Sequence, residues 1–283
     1  NKNKPIVDID DPTVPLNYFN IVKLTKGQAF EYAVPGFETC IVPATGTVDV
    51  DVEGFKCDGL GQRTEDVWDG EPEGVYVPTA AKATMVCTSA EAEIFIAGAR
   101  YDKILDAFAV RTNELDKVQY GSDETKTHRK IKHILGTKYH DKVGRLLVSE
   151  LFTVGEGGWS GFPSHKHDTD RLPLETRHDE TYNFRFKPSH GSGVQMLQRE
   201  DGKSGDAYHL VMKASLSPSQ YVAFEYHFPK TGYLHTVALK TVGMQRLLNS
   251  ASPPQLDWKT TTFRNSISID YENRYTEFTF GYE

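Results

Sequence analysis

The chain has 283 residues, 38% hydrophobic, 11% aromatic and 25% charged, the balance of a globular protein and not of a disordered one. No apolar run reaches the length that spans a bilayer, and the opening "NKNKPIVDID" lacks the apolar middle of a secretion signal, so the expected location is the cytoplasm, away from membranes. A net charge of −7 without a basic stripe argues against nucleic acid and for a small molecule as partner.

In chain order, short alternating or β-branched runs bounded by turn residues follow one another. In the first half these are "FETCIVPATG", "TVDVDVEG", "GVYVP", "ATMVCTS" and "AEIFIAGA". The segment "YDKILDAFAVRTNELDK", residues 101–117, is the best helix candidate, although its apolar positions fit a strand nearly as well. "KVQYGSDETKTHRK", residues 117–130, has little to bury and reads as a linker. Strands resume with "RKIKHIL", "GRLLVSELF", "TYNFRF", "GVQMLQR", "AYHLVMKASL", "QYVAFEYHF" and "YLHTVALKTVG". The pattern predicts an all-β protein of sandwich or barrel type. Two strand-rich halves of similar style suggest a duplicated barrel, with domains over 1–118 and 119–283.

Cys40, Cys57 and Cys87 are too few and too widely spaced for a disulfide scaffold and read as buried free thiols. Histidine is distributed unevenly: all ten lie between His128 and His235. Imidazole chemistry therefore belongs to the second half.

Within "GGWSGFPSHKHDTDRLPLETRHDETYNFRF", residues 157–186, His165 and His167 share one face of a strand while Lys166 points away. On the next predicted strand Glu180 shares a face with Tyr182 and Phe184, and Arg185 takes the other. A further strand ends in His227. Three imidazoles and one carboxylate suit one divalent transition metal, Zn, Mn, Fe, Co or Ni, with positions left for substrate.

The blocks "GGWSGFPSHKHD", "DETYNFRF" and "EYHFPKTGY" resemble the 5-deoxyglucuronate isomerase family of inositol catabolism, whose pattern is close to G-N-W-S-S-Y-P-P-H-K-H-D, then E-E-T-Y-Y, then G-Y-H-P. The similarity extends upstream through "HRKIKHILGTKYHDKVGRLLVSELFTVGEGGWS" and more weakly to "GLGQRTEDVWDGEPEGVYVP", similar to R-x-x-V-F-x-G-x-P-x-x-x-Y-x-P. The resemblance implies a bicupin, two jelly-roll barrels in one chain, with His165, His167, Glu180 and His227 as metal ligands. Departures are Asp179 and His178 before Glu180, Asn183 in place of the second Tyr, "FEYHFP" around His227, and a C-terminal forty residues unlike the family ending.

The resemblance also implies an aldose–ketose isomerisation of a sugar acid, in which a proton leaves a carbon next to a carbonyl and returns to its neighbour. Glu225, which shares strand parity with His227, is a candidate base, as are the non-ligand His178 and His235. Tyr182 and Gln195 are candidate substrate contacts, whereas Lys166 and Arg185 should face outward. His128, His133, His140, His190 and His209 read as surface or structural residues. A histidine-free first barrel would pack on the second or serve subunit contact, since any sheet edge left open is a candidate for pairing in a homo-oligomer. A cupin oxygenase suits the same ligands, and a carbohydrate-binding protein without turnover suits the altered C-terminus.

Overall fold

The computed structural model describes residues 3–155, 169–171, 176–187, 191–197, 207–211, 221–228, 233–240, 269–271 and 274–276. Among them the regular structure is all β, with two single-turn 3-10 segments and no α-helix. The chain divides into compact units over 1–181 and 182–283. The boundary expected between 118 and 119 falls inside β10 (Asp116–Tyr120), within the first unit.

The first unit is built on a five-stranded sheet in the order β1 (Asn17–Thr25), β8 (Glu91–Arg100), β3 (Phe37–Thr45), β6 (Gly74–Val77), β9 (Phe108–Val110). A four-stranded sheet has the order β2 (Ala29–Tyr32), β7 (Ala83–Cys87), β4 (Val48–Val52), β5 (Phe55–Leu60). Alternation decides which side chains meet between them. Ile41, Val75, Val77, Ile94 and Ile96 from the first sheet join Val48, Val50, Met85 and Leu60 from the second in one buried cluster. Each such side chain contributes roughly 1.5–3 kcal/mol when withdrawn from water.

The alternation is incomplete in β3 and β6, where buried residues run without a break. Both faces of the five-stranded sheet must therefore be covered. The opposite parity, Cys40, Val42 and Tyr76, packs with Ile134, Leu135, Tyr139 and Leu146. These come from a three-stranded antiparallel sheet of β10, β11 (Arg129–Leu135) and β12 (Val148–Thr153) and from the β11–β12 connection. Residues 101–117, the helix candidate, instead carry β9, a 3-10 turn and the start of β10, because Phe108 and Val110 are needed on the covered face. The expected linker over 117–130 likewise holds β10, paired in register with β11 from Asp116↔His133 to Tyr120↔Arg129.

Buried carboxylates tie this layer down. Glu38 has no exposed surface, and its carboxylate accepts from the Tyr76 hydroxyl at 2.6 Å and the backbone N–H groups of Gly144 and Leu146 at 2.8 Å each. Arg63, the arginine of the weaker upstream motif, is 2% exposed and grips both carboxylate oxygens of Glu150 on β12. Its Nε donates to the Gly70 carbonyl at 3.2 Å. Beside it Trp68 meets Phe152 edge to face with centroids 5.0 Å apart. Glu73, also 2% exposed, accepts from the Gly61 N–H and from Arg111, each at 2.9 Å. All three cysteines are free and buried, as expected.

At the β3–β4 turn Gly46 has φ +77°, and a Cβ there would lie 2.2 Å from the Glu91 carbonyl oxygen, so only glycine fits. In the second unit β13 (Ser192–Met196) pairs with β14 (Ala207–Val211), β15 (Tyr221–Phe228) with β16 (Tyr233–Lys240), and β17 (Ile269–Tyr271) with β18 (Arg274–Thr276). "TYNFRF" forms no strand. Its Tyr182 and Phe184 rings stack on each other 5.8 Å apart and stay exposed, so no ladder partner is drawn to it by burial.

Glu150→Ala should leave the Arg63 guanidinium buried without its counter-charge and cost about 3–5 kcal/mol in urea denaturation, whereas Arg63→Met combined with Glu150→Leu should recover most of that loss. Stability should also fall in alkali. Burial pushes the Tyr32 hydroxyl, the Cys40 thiol and the Tyr76 hydroxyl up, the last also through the facing Glu38 carboxylate. The unfolded chain releases those protons from about pH 8.5 for Cys and about pH 10 for Tyr while the folded one holds them. The urea midpoint should therefore be fully kept below about pH 8 and decline above it, and a midpoint constant to pH 10.5 would contradict this.

Candidate functional site

Two of the expected metal ligands, His165 and His167, lie outside the described residues. Glu180 lies within them, in a segment without regular structure, 176–181, that belongs to the first unit. The segment has no ladder partner, yet it is fixed by side chains. The Leu16 N–H donates to Asp179 Oδ2 at 3.0 Å, and the Asn17 amide donates to Thr181 Oγ1 at 2.9 Å. Glu180 is thus bracketed by two attachments to the start of β1.

Asp179 is the half-buried residue of this segment, and its neighbours are exposed. Asp179 is 12% exposed and turned to β1, with Arg177 at 3.8 Å as a distant counter-charge. His178 and Glu180 are 45% and 42% exposed, and they face each other with Nε2 and Oε1 3.7 Å apart. The His178 Nδ1–H donates to the Thr176 carbonyl at 3.1 Å. That bond places the neutral ring's proton on Nδ1 and leaves the Nε2 lone pair facing the Glu180 carboxylate. The hydrogen bonds at Leu16 and Asn17 link residues about 163 positions apart in sequence, and no motif could have disclosed them.

The remaining candidates fall in the second unit. His227 and Glu225 lie on β15 two positions apart, in register with Leu234 and Thr236 of β16. His235 is in register with Tyr226, one step out of phase with both. Gln195 is exposed on β13 opposite Tyr208, and Tyr182 is 64% exposed. Among the described residues no group of three or more His, Cys, Asp or Glu side chains is assembled around one point. As a donor set, three imidazoles and an accessible carboxylate match what a divalent transition metal takes.

Three of the histidines read as structural are engaged locally. His128 Nδ1 meets Asp123 at 2.8 Å, His133 Nδ1 meets Ser149 Oγ at 2.7 Å, and His140 Nδ1 donates to the Thr137 carbonyl at 2.9 Å. Among the described residues no helix is long and apolar enough to cross a membrane.

Comparison with known proteins places these residues in a family context. The 5-deoxy-glucuronate isomerase of Shouchella clausii (strain KSM-K16) is 32% identical over 197 residues, 68% of this chain and 70% of that protein. The 5-deoxy-glucuronate isomerase of Geobacillus kaustophilus (strain HTA426) is 29% identical over 203 residues, 71% of each chain. In fold, an IolB-like protein from Salmonella typhimurium LT2 superposes with a TM-score of 0.65 at 23% identity, covering 74% of this chain and 77% of that one. Residues 1–229 match the KduI/IolB family, a span that takes in His165, His167, Glu180 and His227, and the chain belongs to that family.

Proposed function

We propose that this protein is a metal-dependent isomerase of a sugar acid, converting the aldehyde 5-deoxyglucuronate or a close relative to its ketone isomer. The observation that carries the reading is the family match over residues 1–229, joined to relatives named 5-deoxy-glucuronate isomerase that align over about seven-tenths of their length. The architecture that goes with it is a bicupin, with a histidine-free barrel followed by one bearing His165, His167, Glu180 and His227. Those four residues would hold one divalent ion. When bound, the ion supplies positive charge against the oxygens on which negative charge develops.

The rest of the chemistry belongs to the chain. A base takes the proton from the carbon bearing the hydroxyl next to the aldehyde and delivers it to the former aldehyde carbon, while the hydroxyl proton moves to the other oxygen. Atoms balance without any redox partner. Glu225, two positions from His227 on β15, can do this as a carboxylate. His178 can do it through Nε2, which its bond to the Thr176 carbonyl leaves as the basic nitrogen. His235 falls on the other register parity and stands third. The Tyr182 hydroxyl and the Gln195 amide, both exposed, would orient the sugar oxygens. A cytoplasmic enzyme and a homo-oligomer complete the reading.

Proton NMR of 5-deoxyglucuronate in D2O with metal-loaded protein should show the aldehyde signal replaced by the ketone isomer, with deuterium entering at the carbon that receives the proton. Replacing the true base should lower kcat by about 10²–10⁴. Unchanged substrate, with oxygen uptake or with binding alone, would contradict the isomerase reading. Protein purified without chelator should carry one ion per chain, and His165→Ala with His167→Ala should lose it.

A further inference from the structure

We infer that Asn17, Asp179 and Thr181 are positioning residues for the acidic metal ligand, so that the histidine-free first strand of the chain sets where the Glu180 carboxylate stands. The inference rests on the metal reading of Glu180 above. Its physical basis is the pair of hydrogen bonds on either side of that residue. Asp179 accepts the Leu16 N–H at 3.0 Å, and Thr181 Oγ1 accepts from the Asn17 amide at 2.9 Å.

A carboxylate ligand works only if its oxygens are held in place when the ion arrives, and a segment without ladder bonds provides no such restraint by itself. Here the restraint comes from β1, which is anchored along its length. It pairs with β8 over nine residues, from Asn17↔Ala99 to Thr25↔Glu91, and its Tyr18, Phe19 and Asn20 are buried. Leu16 and Asn17 sit where that strand begins, and Arg100 at the end of β8 donates to the Pro15 carbonyl at 3.2 Å, which fixes the approach. With Asp179 and Thr181 both pinned to the start of β1, the Glu180 carboxylate stands 3.7 Å from His178 Nε2. The acidic residue before Glu180 and the threonine after it thereby gain a role: they hold the ligand and do not bind the ion.

Cobalt(II) titration of the full chain, followed by its visible absorption bands, tests this, with the urea midpoint measured alongside. Asn17→Ala, Thr181→Val and Asp179→Ala should each weaken cobalt binding at least about tenfold and alter the bands, with the midpoint little changed. Thr181→Ser and Asp179→Asn keep the acceptor oxygens and should titrate like the parent. Combining Asn17→Ala with Thr181→Val should cost no more than either alone, since both remove one bond. If the parent gives bands that His165→Ala abolishes, but Asn17→Ala, Thr181→Val and Asp179→Ala leave them unaltered, the positioning role is overturned and the metal reading stands. If the parent gives no bands, the metal reading fails and the positioning role falls with it.

Discussion

The first unit is organised around a sheet in which β3 and β6 leave no face for water. β3 is buried at eight of its nine positions and β6 at all four, so one apolar layer on each side is a requirement of the sequence. The four-stranded sheet meets that requirement on one side and the sheet of β10, β11 and β12 on the other. The second contact is the demanding one, because it brings ionised groups indoors. A desolvated carboxylate costs several kcal/mol unless its oxygens are satisfied, and Glu38 is satisfied by a phenol and by backbone N–H groups of the crossing loop. Arg63 and Glu150 satisfy each other. Such pairs add little net stability against apolar replacements, but they penalise every wrong register of the covering layer.

This arrangement ties the histidine-free start of the chain to later segments through side-chain contacts. It supplies Arg63 to β12, the strand that precedes the "GGWSGFPSHKHD" block in sequence, and it supplies Leu16 and Asn17 to the segment carrying Glu180. The upstream similarity to the family around "GLGQRTEDVWDGEPEGVYVP" is then understandable in physical terms. Its Arg63, Trp68, Glu73 and Tyr76 all point into the contact that fixes the third sheet or into the ion pair with Arg111. Packing and buried charge account for these residues in this fold.

Much of the strand content was legible because period-two alternation and continuous apolar runs are local signals. "RKIKHIL" coincides with β11, and the runs around Val48, Gly74, Ala83, Glu91 and Tyr221 each contain a strand. β2 and β5 escaped notice because edge strands with exposed polar residues lack that contrast. The helical reading of 101–117 lost to tertiary demand, since Phe108 stacks between Tyr76 and Tyr139. "TYNFRF" misled in the opposite way, its alternation being real but spent on a local Tyr182–Phe184 stack. At the candidate site, His178 and Glu180 are near each other in sequence as well as in space, whereas the bracket around Glu180 joins positions that only the folded chain brings together.

In the proposed site an ion is held by three imidazoles and a carboxylate of this chain. X-ray absorption at the K edge of zinc- or cobalt-loaded protein reads that donor set directly. The nearest neighbours should be nitrogen and oxygen at about 2.0–2.2 Å, with the outer-shell scattering of about three imidazole rings. A shell of oxygen alone without imidazole scattering, or sulfur at about 2.3 Å, would contradict it.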